Sequence, residues 1–312
     1  MRVVAALGGN ALLIRGEKPD ADIQQHHVQR AVRALAPLGV AHDLVITHGN
    51  GPQVGMLALE SARDPALTQP FPFDVLGAQT QGMIGYWLAQ AFSRELPDRK
   101  VACLICQTVV DPDDPAFTDP AKFVGPVYSE SEARRAAADG GWTMRRDGSS
   151  WRRVVPSPEP RELVELPLIQ LLHDAGAVVV CAGGGGIPVT RDADGLRGIE
   201  AVVDKDLTAA LLAVALRADA LLLLTDVEAV MTGFGTPEAR PVSRVTTTEL
   251  RTLQLPAGSM APKAEAARRF VAATGGFAAI GCLDRASDLL SGTAGTTVVP
   301  GNERRSADQP AR

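Results

Sequence analysis

Val178-Val179-Val180-Cys181-Ala182 drives an apolar, β-type run straight into Gly183, Gly184, Gly185 and Gly186, with Ile187-Pro188 behind them. No other stretch is so conformationally marked. Glycine accepts φ > 0 and lets other groups approach the backbone, while a run of it costs ordering entropy, so an ordered run has a steric purpose. Either it makes a tight turn, or something sits against it. The same grammar recurs where Arg2 to Leu7 meets Gly8-Gly9-Asn10, and where Asp43 to Thr47 meets His48-Gly49-Asn50-Gly51-Pro52.

Helical patterns separate these strand-to-glycine junctions. Val28, Val32, Leu35 and Leu38 are spaced for a helix over 22–38, and further helices are expected over 74–92, 163–175, 207–216 and 264–273. Strands are expected over 101–110, 177–182, 220–224, 277–282 and 296–299, the last at a sheet edge. Asp204 or Asp206 suits an N-cap, and Thr246 to Glu249 reads as a capped helix start. Strand–helix alternation implies an α/β fold with a parallel sheet covered on both faces. Ligands of such sheets bind at the carboxyl ends of the strands. That rule gathers Gly8 to Asn10, Gly49 to Gly51, Gly183 to Gly186 and Thr225-Asp226 along one rim.

The texture changes over 116–160, where Pro, Gly and paired arginines replace the alternation, so this segment reads as an inserted subdomain of a single domain spanning 1–300. Its arginines read as a solvated face, and 301–312 as a polar, disordered tail.

Composition excludes several classes. A formal net charge of -5 argues against a nucleic-acid binder driven by phosphate neutralisation. The most apolar region, Ala209 to Leu224, is broken by Arg217 and Asp219, short of the roughly 20 apolar residues a membrane helix needs. Met1 to Leu7 is too short for a signal-peptide core, so a cytoplasmic location is expected. Four scattered cysteines make no disulfide framework, and Cys103 and Cys106 read as buried thiols of one strand. His26 and His27 read as exposed on a helix, His42 and His173 as near loops, and His48 as a loop histidine with or without a ligand. None shares spacing with carboxylates as a metal ligand would.

The rim suits an anion, because strand, glycines and helix start aim backbone N–H groups and a positive helix end at one place. There is no G-x-x-x-x-G-K-[ST] and no G-x-G-x-x-G after the first strand, so neither a Walker loop nor a dinucleotide site is indicated. Protein-kinase signatures are absent as well. Of 31 basic residues only five are lysine: Lys18, Lys100, Lys122, Lys205 and Lys263. A chain that writes its charge as arginine keeps lysine where a compact ammonium differs from a guanidinium fork, as at a phosphoryl group. Lys205 and Lys263 are the candidates, with Asp206 favouring their charged form. A capping cluster and an exposed lysine are the competing explanations.

Read together, Ala6 to Leu12, Thr47 to Gly55, Gln81 to Tyr86, Arg152 to Pro158, Cys181 to Pro188, Asp204-Lys205-Asp206 and Gly258 to Lys263 resemble the carbamate kinases of the amino acid kinase superfamily. The resemblance implies a three-layer αβα sandwich with an open, mostly parallel sheet, and a homodimer. It implies reversible phosphoryl transfer between ATP and carbamate with Mg²⁺ on the nucleotide phosphates and no metal site assigned to the protein. By motif match, Gly8, Gly9, Asn10, Gly49, Asn50 and Gly51 bind the phosphoryl group and carbamate. Lys205 and Lys263 neutralise it, Asp206 orients them, and Lys122 reaches over as part of a lid. Thr225, Asp226, Gly183, Gly184 and Met260 lie along the nucleotide. Relatives acting on acylated amino acids carry a lysine where this chain has Ala6, and Lys205 takes its place. Phe123-Val124 and Glu228 to Met231 depart from the usual family sequences. Other small acids or a phosphonate as acceptor, and a catalytically idle nucleotide-binding regulator, stay open as alternatives.

Overall fold

The computed structural model describes residues 1–14, 16–255 and 260–301, and of Asn10 the backbone only. Strand β1 (Arg2–Leu7) turns at Gly8 and Gly9, and helix α1 (Ala21–Ala41) returns the chain to β2 (Asp43–His48). Helix α2 (Gly51–Arg63) starts directly behind β2, with Pro52 in its first turn, where its missing N–H costs nothing. Then come α3 (Phe73–Glu95), β3 (Val101–Cys103) and β4 (Gln107–Val109). A small antiparallel sheet follows: β5 (Lys122–Tyr128), α4 (Glu130–Gly140), β6 (Met144–Asp147) and β7 (Ser150–Val155), in the order β5-β7-β6.

Next are β8 (Glu162–Leu163), α5 (Leu166–Asp174), β9 (Val178–Val180), and the hairpin β10 (Ile187–Asp192) and β11 (Gly195–Gly198). Helix α6 (Lys205–Ala215) leads to β12 (Ala220–Thr225), and the short pair β13 (Met231–Thr232) and β14 (Arg240–Pro241) extends beyond it. The chain closes with β15 (Arg244–Thr246), α7 (Thr247–Leu250), α8 (Met260–Thr274), β16 (Phe277–Cys282), α9 (Ala286–Ser291) and β17 (Thr296–Val299).

The main sheet has the order β15-β17-β16-β12-β1-β2-β9-β3, and every pairing is parallel except β16 with β17. Side chains alternate strictly across it. Val4, Ala6, Val45, Val179, Leu221 and Leu223 face α6 and α8, while Val3, Ala5, Leu7, Leu44, Ile46 and Val180 face α1 and α3. Each buried Val, Leu or Ile contributes roughly 1.5–3 kcal/mol. Two apolar layers on one sheet give the expected αβα sandwich, and the register Leu7 with His48 and Ile46 with Val180 brings the glycine turns level.

Five expectations fail locally. Residues 101–110 do not form one strand: β3 lies in the main sheet and β4 in the smaller β11-β10-β4-β8 sheet. The break falls at Cys106, whose N–H donates to Gln81 Oε1 at 2.8 Å and whose carbonyl accepts from Gln81 Nε2 at 2.9 Å, so a side-chain amide replaces the ladder. As a result Cys103 is exposed, and of the two only Cys106 is buried. Strand β17 is not at the edge, because β15 covers it. His27 is buried rather than exposed, its Nε2 2.7 Å from a Glu17 carboxylate oxygen. Helices begin at Leu166 and Met260 rather than at 163 and 264, so Lys263 lies inside α8. The tail from 302 onward, and Gly258 and Ser259, lie outside the described residues. No helix among the described residues is long and apolar enough to cross a membrane.

Candidate active site

The glycine turn behind β9 is built by close approach. Ala182, Gly184, Gly185 and Gly186 all have positive φ (49°, 65°, 90° and 88°). A Cβ on Gly184 would lie 2.2 Å from Asn50 Nδ2, one on Gly185 2.5 Å from the Val203 carbonyl, and one on Gly186 2.0 Å from Thr108 Oγ1. Hydroxyls then fix the turn. Thr47 Oγ1 donates to the Ala182 carbonyl at 2.8 Å, and Thr108 and Thr208 donate to that of Gly185 at 2.7 and 2.9 Å. Gly183 covers the His48 ring, since a Cβ there would lie 2.2 Å from Nε2. His48 is therefore a buried neutral group at the end of β2, its imidazole pushed down to about 4 chiefly by burial, against the Gly49 carbonyl.

The first two turns touch each other. A Cβ on Gly49 would lie 2.8 Å from the Gly9 nitrogen and 3.4 Å from Lys205 Cδ, and one on Gly8 3.0 Å from the Leu224 carbonyl, just before Thr225. The Lys205 stem thus runs past the Gly49 turn. Gly51 opens α2, while Thr225 ends β12 with its hydroxyl on the exposed Asp226 at 3.1 Å. Met260 opens α8.

The two lysines meet on one carboxylate. Lys205 Nζ donates to Asp206 Oδ1 at 2.5 Å and Lys263 Nζ to Oδ2 at 3.0 Å, and all three side chains are almost fully buried. Lys205 occupies the first position of α6, where the macrodipole repels a cation, so its place is not explained by helix stability. Burial pulls its ammonium down from the ordinary lysine range, Asp206 opposes this and Lys263 adds to it. Burial would raise the Asp206 carboxyl, but the two ammoniums hold it far below the usual carboxylate range. The arrangement is a buried cluster with net positive charge, and the carboxylate is saturated.

Asp204, read from the sequence only as a cap, has a second task. Its Oδ1 accepts from the Asp206 and Leu207 N–H groups at 2.9 and 3.3 Å, while its Oδ2 accepts from Lys122 Nζ at 2.5 Å. Lys122 opens β5, so one carboxylate ties the small sheet to the helix that carries Lys205. A cleft of about 1260 Å³ opens from there between α2 and β5, walled by Pro52, Met56, Lys122, Phe123, Asp204 and Pro262. Sequence reasoning missed this carboxylate's double role; the spacing Asp-Lys-Asp carried the signal, because a cap needs only one aspartate. Thr80, fully buried and bonded to Asn50 at 2.8 Å, was also missed, with no signal in the sequence beyond a polar residue on a buried helix face.

Among the described residues no cluster of three or more His, Cys, Asp or Glu side chains could hold a metal ion. The carboxylates at the centre are spent on ammoniums and helix N–H groups, so the donor set fits a cation carried on phosphate oxygens and water, the habit of Mg²⁺.

A parallel sheet with glycine turns and buried ammoniums at its carboxyl rim defines an α/β enzyme that handles phosphate. A model of the amino acid kinase family matches residues 1–276. The carbamate kinase of Rhizobium meliloti is 50% identical over 303 residues, 96% of this chain and 93% of its own length. That of Escherichia coli K12 is 47% identical over 296 residues, 95% and 98% of the two chains. Carbamate kinase from Giardia lamblia bound to AMP-PNP superposes with a TM-score of 0.87 at 40% identity, covering 96% of this chain and 98% of that one. The chain belongs to the amino acid kinase family and, within it, to the carbamate kinases.

Proposed function

We propose that the chain catalyses ATP + carbamate ⇌ ADP + carbamoyl phosphate, with Lys205 and Lys263 stabilising the moving phosphoryl group. The observation that carries this reading is the pair of buried ammoniums on the two oxygens of Asp206, beside the Gly8–Gly9 and Gly49 turns. Phosphoryl transfer passes through a loose transition state whose charge spreads over the equatorial oxygens, so positioning and electrostatics dominate. Asp206 holds both ammoniums apart and charged. The N–H groups of Gly8, Gly9, Asn10, Asn50 and Gly51 bind the phosphoryl oxygens and the carbamate, while Gly49, whose own N–H donates to the Leu7 carbonyl at 2.9 Å, lets the ligand approach the turn closely. Carbamate is already an anion, so the reaction needs no general base.

Thr225, Asp226, Gly183, Gly184 and Met260 are assigned to the nucleotide, which supplies its own Mg²⁺ to neutralise the phosphates. Residues 116–160 act as a lid within the 1–300 domain, Lys122 exchanging Asp204 for substrate as the cleft closes; the single ion pair between them supports this. We further propose a cytoplasmic location and a homodimer, the dimer supported by β3 ending the main sheet among the described residues and by the exposed Tyr86 and Ile105 near it.

ADP formation with ATP and Mg²⁺ across carbamate, N-acetylglutamate, aspartate, UMP and no acceptor tests the reading. Carbamate should be preferred by at least about 100-fold; a different preferred acceptor, or silence with all, contradicts it.

A further inference from the structure

We propose that Thr80 is a positioning residue that fixes the orientation of the Asn50 amide, so that the site selects an acyl phosphate bearing N–H on its carbonyl carbon. The inference rests on the carbamate reading above. Asn50 sits at the N-cap position of α2, yet its side chain makes no cap bond. Its Nδ2 instead lies 2.8 Å from Thr80 Oγ1, and Thr80 Oγ1 lies 2.8 Å from the Gly77 carbonyl oxygen.

That second distance decides the amide's orientation. A carbonyl oxygen has no proton to give, and two oxygens at 2.8 Å are held together only by a proton between them, so the single Thr80 hydroxyl proton lies on Gly77. What Thr80 offers Asn50 is a lone pair, and the Asn50 atom facing it must be the NH₂ group. An amide orientation is otherwise an inference from the surrounding network, and here the network has one solution. Gly184 packs against the same amide, since a Cβ there would lie 2.2 Å from Asn50 Nδ2 and 2.7 Å from Oδ1. Bonded to Thr80 and packed on Gly184, the amide keeps Oδ1 as an acceptor to which no described group donates.

The consequence is chemical selection. Carbamoyl phosphate and acetyl phosphate share a shape but carry NH₂ and CH₃ at the same place, and only the first can donate to Oδ1. With the amide reversed, two N–H donors would oppose each other. Removing the Thr80 hydroxyl frees the amide to rotate and should weaken the preference without touching the phosphoryl machinery.

The experiment is ATP formation from ADP with carbamoyl phosphate and, separately, acetyl phosphate. It compares the unmodified enzyme, Thr80→Val, which keeps the side-chain shape, and Thr80→Ser, which keeps the hydroxyl. For Thr80→Val, kcat/KM with carbamoyl phosphate should fall roughly tenfold, the size of one neutral hydrogen bond, while that with acetyl phosphate changes less than about twofold. Thr80→Ser should retain the selectivity. If acetyl phosphate turns over too slowly, its inhibition constant against carbamoyl phosphate reads the same ratio, and Thr80→Ala replaces the valine variant if that one fails to fold. An equal loss with both substrates, or no loss, overturns the proposal. An unmodified enzyme inactive with carbamoyl phosphate overturns the carbamate reading instead.

Discussion

At the scale of residues, Asp206 governs the site, because each of its oxygens holds one ammonium in a nearly dry environment. Charges of this kind are stable only as a set; removing one member of a buried pair costs about 3–5 kcal/mol by stranding the other. Lys205 reports the balance. Its ammonium is the form that stabilises phosphoryl charge, and its proton leaves below the ordinary lysine range because burial outweighs the help of Asp206. Activity should therefore fall as pH rises, with the alkaline limb of kcat/KM centred below about 10.4, the value of an unperturbed lysine. Asp206→Asn removes the attraction and leaves Lys263 to repel, so the limb should move to still lower pH. A pH–rate profile of the two proteins checks this; a limb that stays in place says that Lys205 does not titrate in the reaction.

At the scale of elements, the glycine turn behind β9 joins the packing of β2, α2, β4 and α6. Each of its positions is closed to a side chain by a different neighbour: His48, Asn50, Val203 and Thr108. Gly184→Ala would force φ 65° on a residue with a Cβ and drive that Cβ into the Asn50 amide. The left-handed backbone alone costs roughly 1–2 kcal/mol. Thermal unfolding should show a clear loss of stability, with kcat/KM down at least about tenfold as Asn50 shifts. An unchanged melting point and activity would mean that the turn relaxes freely. Much of this level was legible in the sequence, because a strand that ends in glycine announces a close approach. Who approaches was not legible, since His48, Asn50, Thr108 and Val203 are far apart in the chain and meet only through sheet order. The broken strand at Cys106 was hidden for the same reason: its signal is the distant amide of Gln81.

At the scale of the whole molecule, parallel strand order turns separate motifs into one rim. β12, β1, β2 and β9 lie side by side, so the segments after them, separated in sequence by most of the chain, end at the same level. The fold was readable from alternation alone, but the convergence of Lys205 and Lys263 on one aspartate required α6 and α8 to pack together on one face. Their scarcity in an arginine-rich chain, and Asp206 next to Lys205, were the local signs. The central claim is that these two ammoniums carry the reaction, and ATP formation from ADP and carbamoyl phosphate by Lys205→Ala and Lys263→Ala, with thermal unfolding alongside, tests it most directly. Each variant should unfold cooperatively and lose at least about 100-fold in kcat, the scale of one preorganised charge contact in a transition state; near-normal kcat in both folded variants would contradict the account.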